Sequence, residues 1–182
     1  TVACSRNVFY SGTAWTNNGT FTHSNGLFTY SGTALQTINP GSSNTYYSIA
    51  VSNTNNPGVL ITTNGLNITT TTVVNAGARF DMGGSAAPAA SITHTFGGAV
   101  TNSGYWTTTN SHLIFNGGNY AIPVNDAVTP GTTFTARNVT IGTSTKSLAA
   151  TTTCQVDNLV INTTATFNPG AAANTISVKG DW

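Results

Sequence analysis

The sequence has very little charge. Only 5% of its 182 residues are Asp, Glu, Lys or Arg, and glutamate is absent, whereas soluble domains usually carry about 25%. The formal net charge is +1, so no long-range field attracts nucleic acid or an anionic membrane surface. We therefore expect no nucleic-acid partner.

Long apolar runs and helix-forming residues are also scarce. No run approaches the about 18 residues of a membrane span, so we expect no membrane insertion. The abundant residues are Thr (36 of 182), Asn, Ser, Gly and Ala, and a chain rich in Thr, Asn, Ser and Gly forms long helices poorly. Thr, Val, Ile, Phe and Tyr favour strands. With 38% hydrophobic residues, the composition predicts one folded all-β domain spanning residues 1–182.

Features near the start of the sequence and its Asn-x-Ser/Thr triplets suggest a secreted protein. The sequence begins at Thr1 without an initiator methionine, and we interpret it as the mature part of an extracellular or cell-surface protein. Four triplets are candidate N-glycosylation sites, although a chain this rich in Asn and Thr also produces such triplets by chance. Their asparagines are Asn18, Asn67, Asn138 and Asn162.

The chain has two cysteines, Cys4 and Cys154. In an extracellular chain this pair predicts a disulfide, either within one chain or between subunits. The alternative is two isolated thiols.

Internal repeats occur at two scales. The segment Thr16–Thr22 is echoed by Thr101–Thr107 at an offset of 85 residues, and Leu27–Gly32 is echoed by His112–Gly117 at the same offset. We interpret these echoes as two degenerate repeats, approximately 1–98 and 99–182. Beneath them, nine short strand-like runs recur about every 21 residues, a spacing typical of one coil of a repeat fold.

The shorter period predicts a right-handed parallel β-helix (a β-solenoid) of about nine coils. Low charge fits this fold, because stacking places like residues about 4.8 Å apart, where like charges repel and Thr or Asn can hydrogen-bond. The same strands are also consistent with a β-sandwich or jelly roll with strand exchange. The repeat favours the solenoid.

The segment Trp15–Thr22, followed by Phe28–Ile38 and Tyr46–Asn53, resembles a repeated module of large secreted bacterial surface proteins. The sequence Ile176–Trp182 is similar to the opening of that module. The second copy departs from it, since 119–128 lacks the Gln-x-Ile element. The resemblance implies a β-helical stalk or adhesin and does not indicate a ligand.

Both ends of the sequence share one phase of this module, which predicts that subunits stack head to tail. A cut fragment of a longer array is the alternative. In a straight solenoid Cys4 and Cys154 are about 34 Å apart, beyond the about 7 Å that a disulfide allows, so the predicted bond would link two subunits. The candidate residues of the subunit joint are Val8, Phe9, Tyr10, Trp15, Ile176, Val178 and Trp182.

Few residues are candidates for catalysis. Glycosidases require paired carboxylates, and the only acids are Asp81, Asp126, Asp157 and Asp181. The three histidines lack the spacing of a zinc site, so we expect no metal and no other cofactor. We therefore predict a structural subunit of an extracellular filament, without enzyme activity. The alternative is a carbohydrate-binding adhesin module whose partners are surface glycans.

Overall fold

The computed structural model describes residues 2–4, 6–83, 92–128, 133–149, 152–170 and 173–180. Within these ranges every regular element is a β-strand, and there is no helix. The strands are β1 (Val2–Cys4), β2 (Val8–Tyr10), β3 (Ala14–Thr16), β4 (Thr20–Tyr30), β5 (Gln36–Asn39), β6 (Ser43–Val51), β7 (Val59–Ile61), β8 (Asn67–Ile68), β9 (Thr72–Val74), β10 (Arg79–Asp81), β11 (Thr93–Phe96), β12 (Val100–Asn102), β13 (Tyr105–Thr107), β14 (His112–Phe115), β15 (Tyr120–Ile122), β16 (Thr133–Ile141), β17 (Ser144–Leu148), β18 (Thr153–Ile161), β19 (Ala165–Asn168) and β20 (Thr175–Val178).

The named strands pair in parallel and stack into a β-solenoid of about seven turns. This confirms the predicted fold, with slightly fewer coils than the nine expected. The longest sheet runs β1-β4-β6-β8-β11-β14-β16-β18-β20. A second sheet runs β3-β5-β7-β10-β13, and a third runs β15-β17-β19. The parallel order excludes the antiparallel sandwich that the sequence left open.

One column of stacked residues follows almost the whole solenoid. The pairings of successive strands connect one register position from coil to coil, and inside the solenoid the side chains of this column are buried. Aromatic members stack directly, as Phe96 and Phe115 do with ring centroids 5.5 Å apart. The column consists of Cys4, His23, Tyr46, Ile68, Phe96, Phe115, Ile141 and Ile161.

Buried amides hold the corners of the coils together. The side chain of Asn53 donates to the carbonyl of Ala34 (2.7 Å) and to Oε1 of Gln36 (3.0 Å), and its own Oδ1 accepts from the backbone of Asn55 (2.9 Å). Asn53 and Gln36 are both fully buried. An amide suits this position because it carries a hydrogen-bond donor and an acceptor but no charge. A chain with few charged residues can therefore still hydrogen-bond the buried polar groups at the corners of its coils.

The pairing of the strands changes near the middle of the solenoid. The second sheet ends at β13, and the third begins with β15 in the next coil. Beside β13 the chain runs antiparallel instead, with a bridge between Tyr105 and Asp126. This departure falls in the segment 119–128, where the sequence lost the repeated Gln-x-Ile element. Loss of a repeated motif therefore coincides with loss of a continuous sheet.

Candidate functional site

The two ends of the solenoid are its candidate functional surfaces. Most strands inside the stack pair with a strand on both sides. At its two ends, β1, β2 and β3 pair on one side only, and so do β19 and β20. In the described part of the chain, these edges offer backbone donors and acceptors that a further strand can pair with.

Aromatic side chains form the face at the β2–β3 end. Val8 and Tyr10 pack against the core and remain half-buried, because no coil covers them from outside. The half-buried ring of Trp15 makes edge-on contacts with Tyr10 (centroids 5.5 Å apart) and Phe28 (5.4 Å). Phe9 points away from the core and is 72% exposed. Three of the predicted joint residues therefore lie at this end of the core, and Phe9 lies on its flank.

The opposite face is an apolar groove of about 470 Å³. The predicted joint residues Ile176 and Val178 are half-buried here, whereas the residues they stack on, Cys154 and Val156, are fully buried. The groove is therefore the interior of the core, open at its last coil. Its lining consists of Leu159, Ile161, Phe167, Pro169, Ile176 and Val178. Trp182, the remaining predicted joint residue, lies outside the described residues.

The strand β18 is only half covered at this end. Its first part, from Thr153 to Val156, pairs with β20. Its second part pairs with β16 on one side, and Val160 and Ile161 there are 51% and 42% exposed. Ile161 is also the last member of the column that begins at position 4. The column therefore ends in the short strand β1 at one end of the solenoid. At the other end it ends in the uncovered second half of β18.

The cysteines occupy different columns. Cys154 stacks between Phe134 and Ile176, is 1% exposed, and burial raises the pKa of its thiol to about 11. The column of Cys4 instead meets β18 at Ile161, seven residues further along the strand, which is about 23 Å. A joint that continues the existing columns therefore does not bring Cys4 and Cys154 together. The predicted intersubunit disulfide requires Cys154 to leave the core.

The candidate glycosylation sites differ in accessibility. Asn18, Asn67 and Asn162 are exposed. Asn138 is half-buried in β16, and its Oδ1 accepts a hydrogen bond from Asn158 in the next coil (2.8 Å). A glycan on Asn138 would compete with that bond, so the exposed three are the better acceptors.

Two buried ionisable side chains have structural partners. His94 is fully buried, its Nδ1 accepts from the backbone of Leu66 (3.2 Å), and its Nε2 lies 2.9 Å from the carbonyl of Met82. The ammonium of Lys146 donates to the carbonyls of Thr143 (2.7 Å) and Gly118 (2.9 Å). Both side chains therefore bridge backbone segments. The sequence spacing gave no signal for this, since a bridge to a backbone carbonyl requires no partner residue type.

Of the predicted acids, Asp81 is buried, Asp157 lies in β18 and Asp126 lies beside β13; Asp181 is outside the described residues. The structure shows no cluster of three or more His, Cys, Asp or Glu side chains within its described ranges. The same ranges contain no helix that is long and apolar enough to cross a membrane.

Comparisons with protein-family models, curated proteins and solved structures find no match. The resemblance to the bacterial surface module therefore stays a prediction.

Proposed function

We propose that this protein is a structural subunit of an extracellular filament or stalk, and that it polymerises head to tail by stacking strands across the subunit joint. The observation that carries the proposal is the open core at the β20 end. Its groove is lined entirely by apolar side chains, and an apolar surface of this kind favours burial against a partner.

The occupant we assign to this groove is the β1–β3 end of a second copy. That end also has unpaired strand edges, and its inward-facing side chains are Val8, Tyr10 and Trp15. Both surfaces are thus apolar, and their strands run in the same direction. Joining them therefore continues the parallel strand pairing by one more coil. A head-to-tail contact of two different surfaces leaves a free end of each kind, which produces an open filament.

The stacking column suggests the register of the joint. β1 would lie beside the uncovered second half of β18, which places position 4 of one subunit above Ile161 of the other. Such a joint buries Ile161 at the edge of the sheet and Ile176 and Val178 beside it.

Electron microscopy and analytical ultracentrifugation of the purified protein test this proposal. The wild type should form uniform thin fibres. Ile176→Lys should remain monomeric with an unchanged β-sheet circular dichroism spectrum, because the lysine would bury a charge in the joint. Tyr47→Lys is the matched control: Tyr47 is exposed (38%) on β6, which pairs with a strand on each side, so this variant should form fibres. Monodisperse wild-type protein, or fibres formed equally by Ile176→Lys, would refute the joint.

A further inference from the structure

The place where the solenoid changes sheets contains a cleft lined by charged, hydroxyl-bearing and aromatic side chains. Next to β13 the chain turns back, and the backbone of Trp106 donates to Asn125 (2.7 Å) while that of Ala127 donates to Gly104 (2.9 Å). These bonds hold the segment 125–127 antiparallel to β13, where the earlier coils carry a parallel strand. The edge of the second sheet is thereby closed, and the surface beside it is free to form a cleft.

Asn125 fixes the shape of this turn. Its amide nitrogen donates to the carbonyl of Trp106 (2.6 Å) and to Oγ1 of Thr108 (2.8 Å), and its Oδ1 accepts from the backbone of Thr135. The next residue, Asp126, accepts from the backbone of Val128 (2.9 Å). The turn is therefore bonded to two neighbouring coils, and the side chains that project from it are preorganised.

The cleft has a volume of about 400 Å³, within the usual range for small-ligand sites. The guanidinium of Arg79 lies over the ring of Tyr105, 3.9 Å from its centroid. This is a cation–π contact through the face of the guanidinium, and it does not use the five N–H donors of Arg79. The lining that faces solvent is formed by Arg79, Tyr105, Thr107, Thr109, Asp126 and Thr133.

The composition of the lining indicates the class of ligand. The chain has nine charged residues in total, yet a cation and an anion both line this one cleft. Asp126 disfavours an anionic ligand, and the threonine hydroxyls disfavour a purely apolar one. A neutral molecule with many hydroxyl groups fits best, because each hydroxyl can donate to Asp126 and accept from Arg79.

We propose that this cleft binds a short neutral saccharide of one or two sugar units. The site lies on the flank of the solenoid, away from the two joint surfaces. A filament built as proposed above would therefore display one such site on every subunit, and the site does not depend on that assembly.

Saturation-transfer NMR tests the cleft with cellobiose, maltose, lactose, diacetylchitobiose and digalacturonate as probes. At least one neutral disaccharide should bind. Arg79→Lys, which keeps the charge but loses the planar fork, and Asp126→Asn, which keeps the acceptor oxygen, should each weaken binding about tenfold or more. Asp157→Asn is the control and should bind like the wild type.

Two results would overturn the proposal: none of the neutral probes binds, or the cleft variants bind as tightly as the control. Preferential binding of digalacturonate would overturn the assignment to neutral sugars. All measurements are repeated in the Ile176→Lys background. Saccharide binding by a monomer then supports the cleft even if the wild type forms no fibres, and fibres without saccharide binding refute the cleft alone.

Discussion

Acidification should destabilise this fold through one buried histidine. His94 is fully buried, and burial lowers the pKa of its imidazole to about 4 from the ordinary value of 6.5. Below pH 6.5 the unfolded chain therefore binds a proton that the folded chain does not bind. Because the unfolded state gains protons, the free energy of unfolding falls as the pH falls from 6.5 towards 4, and this contribution levels off below that value.

The expected size follows from the shift in pKa. Between about pH 8 and about pH 4.5, this single site should remove about 2–3 kcal/mol from the free energy of unfolding. That is a large part of the about 5–15 kcal/mol available to a typical domain. His112 is half-buried and burial also lowers its pKa, so it should add a smaller effect of the same sign.

Urea unfolding at several pH values, followed by tryptophan fluorescence, measures this contribution. His94→Gln can keep both hydrogen bonds, since the glutamine amide accepts from Leu66 and donates to Met82, but it does not titrate. The variant should lose some stability at neutral pH and show about 2–3 kcal/mol less acid destabilisation than the wild type. His112→Gln is the control and should retain most of the wild-type slope. Parallel pH profiles for His94→Gln and the wild type would refute the reasoning.

Three further predictions concern packing. Gly65→Ala should prevent folding, because the added Cβ would overlap the backbone oxygen of Thr93 in the next coil, whereas Gly118→Ala meets no atom within 4 Å and should fold normally. Thermal melts compare the two variants, and equal melting temperatures would contradict the packing. Phe115→Ala should lower the free energy of unfolding by about 3–5 kcal/mol, because it opens a cavity in the stack. Phe9→Ala removes a side chain that is 72% exposed and should lower it little. Equal losses of the two variants in urea unfolding would show that the buried stack does not stabilise the fold. Cys154 is buried and its pKa is raised to about 11, so maleimide labelling mapped by mass spectrometry should modify it only in denaturant, and rapid labelling of the native protein would place the thiol outside the core.

The repeat predicted the solenoid because stacking imposes a length on each coil. Every coil must return the chain to the same column, so strand-like runs recur at a nearly constant interval. The column that includes Phe96 and Phe115 is the physical basis of that interval. The same pattern predicted that Ile176 and Val178 lie at an end of the core, because they occur in the last run.

The repeat could not predict the features in which the chain departs from it. The antiparallel turn at Asn125 depends on hydrogen bonds to two coils, and no local signal identifies those partners. The missing Gln-x-Ile element marked the region but not its geometry. Likewise, the burial of His94 depends on backbone groups of Leu66 and Met82, and their positions are known only once the coils are stacked.

The change of sheet also has a mechanical consequence. The hydrogen bonds between coils run along the solenoid axis, so a pull on the two ends loads every inter-coil ladder in series. Two adjacent coils late in the chain are joined by eight residue pairs between β16 and β18 and by four between β17 and β19. The coils that contain β11 and β14 are joined by four residue pairs between these two strands. There, β13 has no parallel successor among the described strands. Under tension the molecule should therefore part first between β13 and β15, with the stacks on either side still wound.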